Sequence, residues 1–531
     1  MKMKKVLSIV LASTLLLAAC TPDAPAPAPA EQATPAPAPA APAAQATPTP
    51  PPAAEGASGS LIIAMHSETP SVAPARHNSS IAIPKNFLTH ERLFHQHHET
   101  LEPIPHLVAE WSALSDTLFE FTLHDNITFS NGEPMTAADV VASWHWVRET
   151  PDARGVHISA IGIEEVDELT FRIDTGVPNA SFFFDLTSHA NSVLPISLIE
   201  SGHDFLVDPV GSGPFVFEEW RTGDFLRFSA NQNYWNPDRA ARIDEIVWRI
   251  IPEGASRTIA LEMGEVDFID QVAFPDFDRL NDDPNVYVSM LSSPVLNFIN
   301  LNHQRPQFEN VYARRAIHMA INQEEIVEAV FNGLATPHRA QTPIVFAGST
   351  NEGAVPFDPA GAAALLAEHN IDPASLAFDL IAASEDNRRT SEIIQAQLAE
   401  IGIPVSITMM DGAARFDTVT QGNFDAAHSP WAAGWIISVL RNQFLVDETI
   451  QNRNMMNNPE INELISRGIA TIDADARAVI FEEATRVANE YMVMIPSHLE
   501  MTIRAFNANL VAPELSGLST IHNLNMAFWN N

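Results

Sequence analysis

Apolar positions along this chain follow two rhythms, a period of two and a period near three and a half, and each predicts an element. Gly59 to Met65 (Gly-Ser-Leu-Ile-Ile-Ala-Met) is a short apolar run that predicts a buried strand. Leu118 to His124 alternates, with Phe119, Phe121 and Leu123 on one face, and predicts a half-buried strand. Asn131-Gly132 marks a turn. Thr136-Ala-Ala-Asp139 is a capping box, opening a helix with Val140, Trp144 and Val147 on one face. Phe215-Val-Phe217 and Leu226-Arg-Phe228 flank Thr222-Gly223-Asp224 and predict a hairpin. Ile243 to Ile251 predicts a further strand, and Ala255 to Met263 a helix closed by Gly264.

The second half alternates strand and helix. Val295 to Leu301, Phe378 to Ala382 and Val405 to Met409 read as strands. Val311 to Ile321, Glu324 to Phe331, Thr390 to Ile401 and Ala474 to Tyr491 read as helices. Gly333 and Gly402 stop the second and third of these. Such alternation predicts an α/β fold of mostly mixed sheets with helices on their faces. The chain has no internal repeat.

The amino terminus changes the picture from a plain globular chain to an exported one. Lys2, Lys4 and Lys5 precede an apolar run from Val6 to Leu17, too short to span a membrane, which ends in Leu17-Ala18-Ala19-Cys20. That ending resembles a bacterial lipobox, which makes Cys20 the expected site of lipidation. Cys20 is the only cysteine, so the chain has no internal disulfide and is stabilised by packing. Residues 21–58 hold twelve Pro and fifteen Ala and no aromatic residue, the composition of a disordered spacer. Extended at about 3.1 Å per residue, such a spacer reaches roughly 120 Å. The body from residue 59 to 531 is long enough for two or three domains, and nothing in it predicts a membrane-spanning helix.

The formal net charge is −37, and more negative once Lys2, Lys4 and Lys5 are removed. This argues against nucleic acid as a partner and against an anionic membrane surface, leaving the lipid as the only membrane attachment. Beyond the leader, Lys85 is the one lysine; the other basic residues are arginines.

Six segments in order resemble one known family. They are Leu107-Val-Ala-Glu-Trp111 with Ile127 to Val141, Val210-Gly-Ser-Gly-Pro-Phe215 with Glu219-Trp220, Asn231 to Trp235, Ile250-Ile-Pro252, Leu261-Glu-Met-Gly-Glu-Val-Asp267, and Arg314 to Asn322. Together, behind a lipobox, they are similar to the extracellular solute-binding proteins of peptide/nickel-type ABC transporters, the dipeptide- and oligopeptide-binding group. The resemblance implies a two-lobed clamshell with an extra subdomain in the first lobe. It places lobe I at residues 59–100, 210–301 and 504–531, the extra subdomain at 101–209 and lobe II at 302–503. It further implies a monomer without cofactor, held outside the cytoplasm, that encloses a small-molecule ligand and docks on an ABC permease and its ATPase subunits.

The site departs from that family's pattern. In dipeptide and oligopeptide binders an Asp three residues after a cleft Trp pairs with the peptide's amino terminus. Here the third residue after Trp431 is Gly434, followed by Trp435. Either another acid, such as Glu68, supplies the charge, or the ligand has no free amine, and the second is preferred. Trp431 and Trp435 are candidates to stack on the ligand. His66, Ser67 and Glu68, just after the first strand, are candidates because that strand borders the cleft in the family.

Catalytic and metal chemistry find no support. His95-Gln-His97-His98 has close His spacing, but is expected in a solvent-facing strand and turn rather than around a metal. The His90-Glu and His98-Glu pairs lack the second His of a zincin, and no Gly-x-Ser-x-Gly elbow or P-loop is present. A surface sensor of the same fold and a secreted hydrolase are the alternatives to a transport receptor.

Overall fold

Alternation decides the first sheet. In a computed structural model of the chain, Phe119 and Phe121 are fully buried and Leu123 nearly so, on one face of the strand Leu118–Leu123. This strand lies inside an antiparallel four-stranded sheet ordered Val108–Ala113, Leu118–Leu123, Thr170–Asp174, Gly162–Glu165. The helix Ala137–Glu149 starts where the capping box predicts: the Asp139 carboxylate accepts the Thr136 backbone N–H at 2.7 Å. Val140 and Phe182 join the sheet's Phe119, Phe121 and Phe171 in one core. The described residues are 59–530 except 78, 152, 155–156, 433, 447–452 and 521, and they belong to one compact unit. The leader, Cys20 and the Pro/Ala-rich segment lie outside the described residues.

An eleven-stranded mixed sheet organises the rest. Its order is Val405–Met409, Phe378–Ala382, Ala426–Ala432, Val286–Leu301, Met494–Asn507, Phe268–Ile269, Ser60–Met65, Glu245–Ile250, Phe225–Ala230, Phe215–Arg221, with Ala335–Pro337 also on Met494–Asn507. Ser60–Met65 runs parallel to both its neighbours, and so does Phe378–Ala382. These two parallel centres stand on either side of the long antiparallel pair Val286–Leu301 and Met494–Asn507. Each side has its own core. One holds Leu61, Phe228, Ile246, Trp248 and Phe268; the other holds Ile299, Ile317, Leu380, Ile394 and Leu398. The fold is a two-lobed α/β architecture, and both long strands run from one lobe into the other.

The long pair exceeds the sequence expectation. The apolar pattern predicts a strand from Val295 to Leu301 and none at Met494–Asn507. The strand instead begins at Val286 and passes through Ser292-Ser293-Pro294, whose polar residues and proline look like a terminator. Pro294 has no N–H to donate, so the ladder breaks there without the strand ending. Register slips between Ser292, opposite Met501, and Leu296, opposite Leu499. Three residues face one across this bulge, and the one is Glu500. The helix expected from Thr390 also begins earlier, spanning Glu385–Glu400, because Ser384 accepts the Asn387 N–H as a cap and its first turn is polar.

The histidine run is half-buried rather than fully solvent-facing. Phe94–Gln96 pairs with Pro103–Pro105, and the His95 ring stacks on His106 with centroids 3.6 Å apart. Burial pushes His95 well below its usual range and Arg92 adds to this, so it is neutral. The turn after it closes on His97 Nδ1, which accepts the Glu99 and Thr100 N–H groups at 3.3 Å. Among the described residues no group of three His, Cys, Asp or Glu is placed to hold a metal, and no helix is long and apolar enough to cross a membrane.

Candidate functional site

A cavity of about 640 Å³ opens where the two long strands cross. One wall carries Met65 and His66 after the first strand, Ile81 and Lys85 at the helix Ile83–Thr89, Arg257, and Asp270 to Phe274. The other carries Phe331, Leu334, Ala383, Ser384, Asp386, Asn387, Gly412, Arg415 and Pro430. Ser293, Val295, Asn297, His498 and Glu500 to Ile503 line it from the crossing strands themselves. Apolar side chains thus alternate with a few charged ones, the composition of a small-molecule site.

Glu500 is one of three acids on the cavity wall, with Asp270 and Asp386. Asn297 Nδ2 donates to its Oε1 at 2.9 Å, and among the described residues no cation pairs with it. Water in the cleft reaches the side chain, yet protein surrounds it closely enough that burial raises its pKa, against the Asn297 hydrogen bond. A carboxylate held this way, without a cation, is suited to receive an ammonium or amide donor. Arg415 stands on the other lobe. Its Nη1 donates to the His428 carbonyl at 2.6 Å and to Ser429 Oγ at 3.0 Å, while its buried Nε has no partner.

Asp270 organises a positive corner. Burial alone raises this carboxyl, but His522, Arg504 and Lys85 outweigh burial and hold it well below the usual carboxylate range. Arg504 Nε donates to Asp270 Oδ1 at 3.2 Å, and His522 Nε2 lies 2.9 Å from the same oxygen. Burial pushes His522 down by more than Asp270 lifts it, so the imidazole is neutral and Arg504 carries the balancing charge. Arg257 donates to the backbone carbonyls of Ile251 and Pro252, at 2.9 and 2.8 Å, which leaves its charge facing the cleft but few free N–H groups. Lys85 is 1% exposed, and its Nζ lies 3.3 Å from the centroid of the Trp248 ring.

Of the six ligand candidates read from sequence, the cavity brings in only His66. Burial, then Arg257, lowers the pKa of His66 and favours the neutral ring. Glu68 braces the Phe215–Ala230 hairpin: its carboxylate accepts Trp220 Nε1 at 2.8 Å and the Gly223 N–H at 3.1 Å. Ser67 makes one long contact to the Glu68 carbonyl, at 3.5 Å. Trp431 packs against the lobe core, donates Nε1 to Ser438 Oγ at 3.2 Å and lies under the Arg453 guanidinium. Trp435 stacks on Phe184 with centroids 4.3 Å apart. Gly434 accepts Gln96 Nε2 on its carbonyl at 2.9 Å, and a Cβ there would stand 3.0 Å from that nitrogen. Gly434 and Trp435 therefore lie on a seam with Gln96 and Phe184, not on the cavity wall.

Lys85, Arg257, Asp270, Arg415 and Glu500 were missed. The one signal in the sequence for Glu500 is the polar alternation His498, Glu500, Thr502, Arg504 inside an apolar run, which marks one face of a strand.

Comparison with known proteins gives the chain its relatives. The model of the bacterial extracellular solute-binding proteins, family 5, middle part, matches residues 102–439. The glutathione-binding protein GsiB of Shigella dysenteriae is 24% identical over 472 residues, covering 85% of this chain and 91% of its own length. HbpA2 from Haemophilus parasuis superposes with a TM-score of 0.77 at 22% identity, over 86% of this chain and 96% of its own. DppA from Helicobacter pylori, an ABC transporter-associated periplasmic binding protein solved with the peptide STSA, superposes with a TM-score of 0.72 at 21% identity, over 89% and 98%. With a match over more than half its length and the fold to go with it, this chain belongs to the bacterial extracellular solute-binding proteins of family 5.

Proposed function

We propose that this chain is a lipid-anchored extracytoplasmic receptor that captures a peptide or peptide-like solute between its lobes and delivers it to an ABC permease with its ATPase subunits. The observation that carries this reading is the cavity on the crossing strands, about 640 Å³ with walls from both lobes. Its size falls within the usual range for small-molecule sites, about 300–1,000 Å³. Glu500 takes the role that Gly434 leaves open: it receives the ligand's ammonium, so a free amine is compatible with this cleft. The relatives named for glutathione and a bound peptide support a ligand of that size and charge. Lobe I takes residues 59–100, 210–301 and 504–531 and lobe II residues 302–503, with residues 101–209 as the extra subdomain, except that residues 295–301 pack in the lobe II core through Ile299 and Leu301. The bend between the lobes falls at the Pro294 bulge. Cys20 carries the lipid, and the Pro/Ala-rich spacer holds the body off the membrane.

Calorimetric titration of the body with glutathione and a panel of di- to tetrapeptides tests the binding role. Saturable one-to-one binding of at least one of them is expected; no binding across the panel counts against a peptide-like ligand. Replacing Cys20 with Ala should release the protein from cells into the medium, and retention on the membrane would argue against the anchor.

A further inference from the structure

Lys85 stands apart from every other base in the body. It is the one lysine past the leader, and it is fully buried. It lines the cavity, and among the described residues no hydrogen bond reaches its Nζ. Burying an ammonium without acceptors is costly. The Trp248 ring face, 3.3 Å from Nζ to centroid, offsets part of that cost by cation–π attraction. Asp270 attracts it at longer range, but that carboxylate already holds Arg504. The ammonium is thus left with charge and donors to offer and with the cleft in which to offer them.

Resting on the reading of the cleft as a solute site, we propose that Lys85 receives the anionic group of the captured solute, a carboxylate, in the cavity that also holds Glu500. The ligand class is then a zwitterion, with its ammonium on Glu500 and its carboxylate on Lys85. Arg257 adds positive potential beside it, with its Nη1 held by the Ile251 and Pro252 carbonyls.

Capture is then pH-dependent. The groups facing Lys85 are Asp270, Arg504, His522, Arg257 and His66, with the Trp248 ring. Burial lowers the Lys85 ammonium to about 7, partly opposed by Asp270. Asp270 and the arginines stay charged and His66 and His522 stay neutral between pH 7 and 9, so Lys85 is the group in this corner that changes. A bound carboxylate favours the protonated amine. Affinity is full below pH 7 and falls as pH rises above it, by up to about tenfold per unit.

Lysine-selective ¹³C labelling of the body, residues 59–531, gives a single side-chain Cε signal, which reports Lys85 alone. Its titration is followed free, with the tripeptide Ala-Ala-Ala, and with the same tripeptide as its carboxyl-terminal amide. Calorimetry with both probes is repeated on Lys85→Met and Lys85→Arg. The expected result is that the acid raises the Lys85 midpoint and binds at least tenfold more tightly than the amide. Lys85→Met should abolish this preference, and Lys85→Arg should leave only the fall above pH 7 that the ligand's own amine causes as it titrates near about 8. Equal binding of acid and amide, or an unmoved Lys85 signal in a saturated complex, overturns the proposal. If neither tripeptide binds, the peptide-like reading fails. Titration with succinate and citrate then decides on Lys85 separately: a shifted signal keeps the carboxylate anchor, and an unmoved signal removes it.

Discussion

Among the described residues the Glu500 side chain hydrogen-bonds Asn297, at 2.9 Å. Its value therefore lies in charge offered to a ligand more than in holding the fold. Glu500→Gln keeps the shape and removes the charge. A hydrogen bond to a charged group contributes about 1.5–3 kcal/mol, so affinity for an amine-bearing ligand should fall roughly tenfold to a hundredfold. The melting temperature should barely change. Calorimetry with the same ligand checks this, and an unchanged Kd would remove Glu500 from the site. Residues of this kind were hard to read because the cavity is assembled from distant stretches. His66 was legible through its position after the first strand, whereas Lys85, Asp270 and Glu500 come together only when the sheet closes. Trp431 and Trp435 drew notice as large aromatic residues, but a tryptophan on a wall and one in a core look alike in sequence.

At the scale of elements, the crossing strands depend on a close backbone approach. A Cβ on Gly517 would stand 1.9 Å from the Ser292 carbonyl oxygen, and Thr502 Oγ1 donates to the Gly517 carbonyl at 2.5 Å. The carboxyl-terminal segment is thereby clamped on the Pro294 bulge. Gly517→Ala forces backbone away from backbone, with no flexible side chain to yield, and should cost about 1–3 kcal/mol of stability. A lowered urea midpoint is the expected readout, and an unchanged one would mean the segment moves freely. Elements with strong local signals were legible: the Thr136 capping box, the alternating Leu118–Leu123, the helix Ala474–Tyr491 with its Asp473 cap. The long pair was not, since a proline inside a strand at a bulge has the same sequence appearance as a proline ending one.

For the whole molecule, two features set its response to solution conditions. Buried neutral histidines are the first. Burial lowers His77, His90, His318 and His428 to about 3, with His189, Arg92, Arg339 and His498 respectively adding to it. Between pH 3 and 6.5 the unfolded chain binds protons that these sites refuse, so stability is present above 6.5 and lost as pH falls. Each contributes about 1.4 kcal/mol per pH unit over that range. Asp185, raised to about 6 by burial against its bonds to Ser159, opposes this, as do Glu102, Asp267 and Glu500, which burial also raises. Thermal melts at pH 7.5 and 4.5 should show a lower midpoint at 4.5; an equal or higher one would mean the histidines are open to water. The seam is the second. Phe184–Trp435 stacking and the Gln96 to Gly434 hydrogen bond join segments far apart in the chain. An aromatic pair adds about 0.5–1.5 kcal/mol beyond its area, so Trp435→Ala should weaken ligand binding roughly twofold to tenfold. It should also enlarge the liganded radius of gyration by X-ray scattering, whereas unchanged values would make the seam incidental to closure.

The central claim is that the cleft on the crossing strands encloses a small charged solute. Native mass spectrometry of the body purified from cells in rich medium tests it most directly, with Glu500→Gln run beside it. A small-molecule mass that leaves on denaturation is expected from the unsubstituted protein, and is expected to be reduced or missing in Glu500→Gln. The same bound mass at the same occupancy in both would contradict it.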